Sequence, residues 1–188
     1  MSLPNGTKWL FAQTLRQMLL TRSFRQIKIT DLCATCGADR QTFYYHFKDK
    51  YDLVAWVYEQ TFQGILRESG GVFRLEEMVM LLKALQEDRA FYRKVFDDHS
   101  QNALPSYIQQ VNQAYVRTFL LRESQTATLP DETEFAIRFY CYAWIGCWKE
   151  WIMGESSYSA EEYARLLYAH SRLLGIPNEP RLLHNKIC

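Results

Sequence analysis

The sequence predicts an all-α protein of about nine helices, and three observations support that prediction. Apolar residues recur at the three- and four-residue spacing of amphipathic helices, and no convincing stretch alternates apolar with polar residues as a half-buried strand does. Only 8 Gly and 5 Pro occur among 188 residues, so long stretches contain no helix breaker. A hydrophobic content of 48% is sufficient for a buried core and argues against global disorder.

The first four predicted helices are separated by clear turn signals. They span residues 7–20, 31–36, 40–46 and 50–67. Thr30, Asp39 and Asp49 are predicted N-caps, because their side chains can accept hydrogen bonds from the free N–H groups of a first turn. Gly37 is predicted to end the second helix, since the residue after a helix often needs a positive φ.

Five further helices are predicted in the remaining two thirds of the chain. They span about residues 75–87, 89–97, 105–123, 131–153 and 160–174. Pro105 and Pro130 lie where a helix can begin. Ser159 and Glu162 have the spacing of a capping box, which fixes the start of the last helix.

The charges divide the chain into a basic head and a mildly acidic body. Residues 1–50 contain eight Lys or Arg and three Asp, whereas residues 51–188 contain 14 basic and 18 acidic residues. A basic head on an acidic body indicates contact between the head and a polyanion. This division predicts a basic head over residues 1–50 and a helical body over residues 51–188.

The composition also argues against several other classes. No run of uncharged apolar residues approaches the length needed to cross a bilayer, and the N-terminus lacks a secretory pattern. Five cysteines without a secretory signal favour a cytoplasmic protein. No cofactor, metal site or catalytic residue is predicted.

Cys33 and Cys36 have the CxxC spacing of redox and zinc motifs, and this leaves two interpretations. A thiol oxidoreductase would place such a pair at a helix N-terminus after a strand, and zinc would need two further ligands. Here the pair lies within and at the end of a short helix. Packing of two small buried residues is therefore favoured, with a thiol oxidoreductase as the alternative.

The helices around Gly37 form a helix-turn-helix, a motif whose second helix lies in the DNA major groove. With Phe43 and Phe47 in the core, a helical wheel places Gln41 and Tyr45 on the opposite side. The side chains on or beside that exposed face are Arg40, Gln41, Thr42, Tyr44 and Tyr45. Their donors and acceptors suit base edges and phosphates.

Two lysines, Lys48 and Lys50, follow at the turn and at the head of the next helix. A cation at that location can hold a phosphate. We therefore predict that both contact the DNA backbone.

The segment from Thr30 to Lys50 resembles the DNA-binding signature of the TetR family of transcriptional regulators; it reads TDLCATCGADRQTFYYHFKDK. The resemblance implies DNA contacts from Arg40, Gln41, Thr42, Tyr44, Tyr45 and His46. It also implies that Thr30 and Lys50 hold the DNA backbone. Cys33 and Cys36 stand where the family usually has Ala or another small residue, which agrees with the packing interpretation.

A narrower resemblance is to the dihydroxyacetone kinase regulators within that family. It rests on residues 40–47, 49–56, 91–94 and 100–102. Asp39 stands where this subgroup often has a basic residue, and Ser100 stands where Gly is expected. An all-α interaction protein that has lost DNA binding is thus a second alternative, and Asp39 is its best support.

The expected partners are double-stranded DNA with a palindromic operator, a second copy of the chain, and an unknown small-molecule effector or protein co-regulator. Apolar residues of the predicted helix over 131–153 follow 4-3-4-3 spacing, which is typical of a helix-packing seam. The predicted dimer-interface residues are Trp144, Trp148, Trp151, Tyr163 and Leu166. In TetR-like proteins the last two long helices form this interface. The resemblance thus implies a helix-turn-helix DNA-binding domain over residues 1–50 and a helical regulatory and dimerisation domain over residues 51–188. The residues of the effector site are not predicted.

Overall fold

The computed structural model describes residues 5–98 and 103–173, and within these residues the protein is built from α-helices without a strand. The helices are α1 (Gly6–Thr21), α2 (Ile29–Cys36), α3 (Arg40–His46), α4 (Lys50–Glu68), α5 (Leu75–Glu87), α6 (Arg89–Phe96), α7 (Ala103–Ser124), α8 (Asp131–Met153) and α9 (Ala160–Leu173). The all-α prediction is confirmed. None of these described helices has the length and apolarity needed to cross a bilayer.

The turn between α2 and α3 follows the sequence prediction. Gly37 adopts the left-handed conformation with φ +71°, which glycine reaches without steric cost, and α2 ends there. Asp39 then caps α3, because its carboxylate accepts a 2.6 Å hydrogen bond from the Thr42 backbone N–H. Asp49 caps α4 in the same way, accepting from the N–H groups of Tyr51 at 2.8 Å and Asp52 at 2.9 Å.

The predicted cap at Thr30 is wrong, because α2 begins one residue before it. The carbonyl of Lys28 already accepts from the N–H groups of Asp31 at 3.1 Å and Leu32 at 3.0 Å. Thr30 therefore lies exposed in the first helical turn. The predicted capping box of α9 is confirmed by reciprocal hydrogen bonds between Ser159 and Glu162.

Aromatic rings form the core of the head. Phe11 of α1 meets Phe43 of α3 edge-on with ring centroids 5.2 Å apart, and Phe47 lies 5.7 Å from Phe43. Phe11 and Phe43 are wholly buried, and Phe47 is 3% exposed. Their burial fixes the rotation of α3 about its own axis.

α4 joins the head to the body. Its first residue, Lys50, lies in the head, and its later residues pack against α5 and α7. One continuous set of buried residues therefore runs through both parts. The boundary between two domains at residue 50 remains a prediction.

The tryptophan stripe of α8 faces the subunit's own core, which corrects the predicted dimer interface. Trp144, Trp148, Trp151 and Tyr163 are at most 8% exposed in the single chain. Trp148 packs on rings from α4 and α6, and Trp151 stacks on Tyr163 with centroids 5.5 Å apart. These four side chains have almost no surface left for a second copy. Leu166, at 40% exposure, is the one predicted interface residue that remains accessible.

Candidate nucleic-acid interface

α3 presents one sealed face and one open face, as the helical wheel predicts. Phe43 and Phe47 are buried, whereas Tyr45 is 84% exposed and Tyr44 is 48% exposed. Gln41 is also exposed. Two exposed tyrosines beside an exposed amide form a surface able to donate and accept hydrogen bonds and to pack on apolar groups.

The remaining predicted contact residues of α3 lie around this open face. Arg40 is exposed, and its guanidinium lies 5.8 Å from the centroid of the Tyr44 ring. Thr42 is half-buried beside the Asp39 cap. His46 lies against Tyr45, with ring centroids 4.9 Å apart, on the flank of the open face. Partial burial, and then the charge of Lys8, lower the pKa of His46, so its neutral imidazole is favoured.

Four cations of the head are available, whereas its three carboxylates are already engaged. Among the described residues, no ion pair forms at Arg25, Lys28, Arg40 or Lys48, and all four are exposed. Asp39 and Asp49 act as helix caps, and Asp31 lies 3.6 Å from Arg22. These four cations of the head are therefore available to meet an anion.

Arg25 and Lys28 were missed as individual candidates in the sequence. They belong to the basic head, but no motif singles them out. Arg25 lies in a single 3-10 turn between α1 and α2, and Lys28 lies at the start of α2. Their exposure is seen only in the structure, which gives the position of that turn.

Lys50 faces inward, in contrast to its predicted phosphate contact. Its Nζ donates to the carbonyl of Phe24 at 2.6 Å and to that of Ile27 at 3.2 Å, and lies 4.3 Å from the Phe24 ring centroid. Burial lowers the pKa of Lys50. In this structure Lys50 tethers the start of α4 to the turn before α2, so its charge is not directed at a phosphate.

The CxxC pair has the character of packing residues. Cys33 is 3% exposed, and burial raises the pKa of its thiol, which opposes the thiolate form that redox chemistry needs. The Cys36 thiol is half-buried and lies 3.5 Å from the Cys33 carbonyl. Across residues 5–98 and 103–173, no group of three metal-binding side chains is found.

The helix cap that Asp39 provides explains why this position is acidic. Asp39 is therefore weaker support for the alternative that the chain has lost DNA binding. The Thr42 backbone N–H and hydroxyl hold the pKa of Asp39 below its ordinary value. Its stabilisation of α3 is present above the ordinary aspartate pKa of about 3.9 and is lost as the pH falls through the lower folded pKa.

We expect acid to weaken the wild-type protein more than Asp39→Asn, because Asn also caps a helix but does not titrate. The measurement is the free energy of unfolding in urea at a series of pH values from about 5 down to about 2, which starts above the ordinary aspartate pKa and extends below it. Equal pH dependence in the two proteins would show that the Asp39 cap does not contribute.

The body of the chain matches a known family model. The model describes the C-terminal region of TetR transcriptional regulators and matches residues 75–171, just over half of the chain. The chain belongs to the TetR family of transcriptional regulators. The match covers α5 through most of α9, so it is independent of the helix-turn-helix.

Two relatives of this TetR-family protein carry related names. The HTH-type dhaKLM operon transcriptional activator DhaS of Lactococcus lactis subsp. lactis (strain IL1403) is 28% identical over 91 residues, which span 48% of this chain and 49% of the relative. The matched stretch is thus about half the length of that curated relative. A solved structure named dihydroxyacetone kinase operon activator DhaS aligns with a TM-score of 0.57 and 21% identity over 90% of this chain and 96% of its own.

The structural alignment shows a shared fold, and the sequence match supports the predicted resemblance to the dihydroxyacetone kinase regulators. One segment of that resemblance, residues 100–102, lies outside the residues that the structure describes.

Proposed function

We propose that this TetR-family regulator binds a palindromic DNA operator as a homodimer, with α3 of each subunit in the major groove. The observation that supports this proposal most is the open face of α3, where Tyr45 is 84% exposed directly opposite the sealed Phe43. An exposed aromatic and amide face on a helix-turn-helix suits base edges. The exposed cations of the head that form no ion pair among the described residues suit phosphates.

We assign base contacts to Arg40, Gln41, Tyr44 and Tyr45. The proposed backbone contacts come from Thr30, Thr42, Lys48, Arg25 and Lys28, with His46 at the flank. Lys50 is left out, because its ammonium already binds two carbonyl groups inside the head.

Operator binding should weaken steeply with salt, and Lys48→Ala should make that dependence shallower. Each phosphate contact contributes about −0.9 to the slope of log K against log salt, so the slope should change by about 0.9 per subunit. The measurement is a gel-shift titration against the DNA upstream of the gene at several salt concentrations. Lys83→Ala is the matched control, because Lys83 is also exposed but pairs with Glu161 in the body. Salt-independent binding, or equal slopes for both variants, would contradict the proposed contact.

The proposed dimer forms through the outward face of α8, which lies next to the buried tryptophan face. Phe135 is 61% exposed, Phe139 55% and Tyr142 65%, and the first two rings stack with centroids 6.4 Å apart. Gly146 continues this face one turn later, where a helix can approach closely. An exposed aromatic stripe of this length is costly in water, and a second copy would cover it. Leu166 of α9 is a further candidate contact.

Phe139→Arg is expected to weaken dimerisation by roughly 30-fold or more, as substitution of a central aromatic anchor does. The substitution would place a charge in an apolar interface, where its desolvation is unfavourable. The measurement is sedimentation over a range of protein concentrations. Met80→Arg, at an exposed position of α5, should leave the dimer intact. A dimer equally stable in both variants would place the interface elsewhere.

Several contacts between head and body would couple regulation to DNA binding. Arg16 of α1 forms a two-pronged salt bridge with Asp88, at 2.6 and 2.7 Å, and lies 4.4 Å from the Phe91 ring centroid. The Tyr107 hydroxyl of α7 donates to Asp49 at 3.0 Å. An effector or co-regulator that favours one arrangement of α6 and α7 would thus favour one orientation of α3.

The first target to test is an operon for dihydroxyacetone metabolism. The two named relatives are activators of such operons, so we propose activation rather than repression. The measurement is the expression of a reporter gene placed behind the upstream DNA. Its expression should increase in the presence of this protein if the proposal holds, and should decrease if the protein represses.

A further inference from the structure

A surface groove follows the junction of α4 and α7, which run side by side in the same direction. The Tyr107 hydroxyl donates to Asp49 at the start of α4, and farther along Phe62 meets Tyr115 edge-on with ring centroids 5.0 Å apart. The groove is an open depression of about 480 Å³ that reaches the turn after α4. Its smallest lining residues are Gly70, Gly71 and Ala114. They leave room for another backbone to approach closely.

Two arginines line the end of the groove beside this turn. Arg67 lies in the last turn of α4 and Arg122 in the last turn of α7, and both are exposed. A β-carbon on Gly71 would lie 3.9 Å from Nη1 of Arg122, so this guanidinium reaches the turn that follows Arg67. In the described part of the chain Arg67 forms no ion pair, and Arg122 meets only its neighbour Glu123, at 3.5 Å. Two like charges on one groove repel each other, and an anion between them would relieve that repulsion.

The middle of the groove carries the opposite charge. Glu59 is the one carboxylate among the described side chains that line it, and it is half-buried. It lies two turns before Arg67 along α4, a rise of about 12 Å, and the uncharged Gln63 lies halfway between them. No ion pair forms at Glu59 within the described residues. The charges along the groove are therefore ordered, with one negative group, a neutral turn and then two positive groups.

We propose that this groove docks a helix of a partner protein whose charges match this order. Two acidic side chains of the partner meet Arg67 and Arg122, and a basic side chain two turns away meets Glu59. The separation of about 12 Å equals two turns of a helix. A helix laid in a groove is a common mode of peptide recognition, and the glycines and Ala114 allow it to lie close. The role of this partner in regulation rests on the proposed function, whereas the docking itself does not.

Two other occupants match the groove less well. A nucleic acid would bring its regularly spaced phosphates past Glu59, where like charges repel. A small anion would meet the two arginines but leave Glu59 without a partner. A segment that carries both signs of charge matches the whole groove.

The test uses a fluorescent peptide as the probe. It is an alanine-rich helix of about 20 residues, long enough to be helical in water, with two glutamates near one end and a lysine two turns away. Fluorescence anisotropy follows the binding of this mixed peptide to the full-length protein. We expect saturable binding that weakens as salt is added. An all-acidic peptide, with glutamate in place of the lysine, should bind about twofold to fivefold more weakly, because it loses one exposed ion pair.

Substitutions in the groove provide the matched comparison. Arg67→Ala and Arg122→Ala should each weaken binding of the mixed peptide by about twofold to fivefold, and both positions are exposed, so the fold should be kept. Arg93→Ala is the control, because Arg93 is an exposed arginine of α6 that does not line the groove. Glu59→Lys should reverse the preference, so that the all-acidic peptide binds better than the mixed peptide.

Three outcomes would overturn the docking proposal: equal binding of the mixed and all-acidic peptides by the wild-type protein, a loss in Arg93→Ala as large as that in Arg67→Ala, or full competition by inorganic phosphate at the concentration of the peptide. The last result would show a simple anion site. Assembly beyond a dimer that Arg67→Ala abolishes would also overturn it, because a second copy would then occupy the groove.

The peptide measurements contain no DNA, so they stand apart from the operator test. Arg67→Ala should bind the operator as the wild type does in a gel shift, and should activate the reporter gene less. If the peptide binds but Arg67→Ala activates fully, the docking site holds and its regulatory role fails. If the wild-type protein does not bind the operator, the proposed function fails and the docking site is unaffected.

Discussion

Replacement of Phe43 by Ala is expected to lower the free energy of unfolding by about 3–5 kcal/mol, the range for a large aromatic removed from a packed core. Phe43 is wholly buried, and the rings of Phe11, Tyr44 and Phe47 surround it at centroid distances of 5.2 to 5.7 Å. The cavity left behind would also release α3 from α1. The measurement is urea unfolding followed by circular dichroism.

Tyr45→Ala is the matched control, because it removes a ring of similar size two residues away on the opposite face. Tyr45 is 84% exposed, so the free energy of unfolding should change by no more than about 0.5 kcal/mol. Its operator preference should nevertheless fall, by about 1–3 kcal/mol for each base that Tyr45 reads in the wild-type protein. A stable Tyr45→Ala protein that binds the operator as tightly as wild type would show that the open face does not read DNA.

The second large effect is expected at the centre of the body, where Trp148→Ala should lower the free energy of unfolding by about 3 kcal/mol or more. Trp148 is wholly buried against Tyr58, Tyr92 and Phe96, with ring centroids 5.3 to 5.5 Å away. Trp148→Phe should retain most of the stability, because it keeps a ring and removes a buried indole N–H that has no partner.

The comparison with Phe139→Ala separates the two faces of α8. Because Trp148 belongs to the subunit core, its substitution should destabilise the protein at every protein concentration. Phe139 is 55% exposed, so its replacement should act through dimerisation and depend on concentration. If Trp148→Ala instead changes only how stability depends on protein concentration, the tryptophans belong to the dimer interface.

The sequence predicts the open face of α3 well, because that face depends on local information. The spacing of Phe43 and Phe47 sets the buried side, and the glycine and aspartate signals set the ends of the helices. Helical periodicity and an absence of alternation are likewise sufficient for the fold class.

The sequence is misleading at α8 because that helix has two apolar stripes. The tryptophans and the Phe135–Phe139–Tyr142 series both recur at helical spacing, and periodicity cannot tell which stripe meets the subunit and which meets water. Because the tryptophans are the larger side chains, the sequence suggests them as the dimer interface. A large apolar side chain, however, is equally suited to the core of the subunit.

The charge of Lys50 and its position at the start of a helix do not reveal which way its side chain points. A lysine at the start of a helix is equally compatible with a phosphate contact and with an inward hydrogen bond. The carbonyl groups of Phe24 and Ile27 decide between them, and their positions depend on a turn more than twenty residues earlier.

The carboxylate of Asp49 has two duties: one oxygen holds the first turn of α4, and the other holds the Tyr107 hydroxyl of α7. A substitution that removes the Tyr107 hydroxyl would therefore leave one oxygen of a helix-capping carboxylate without its partner, at the point where α4 leaves α3 behind. Loss of Asp49 itself would loosen two joints together, the start of α4 and its attachment to α7.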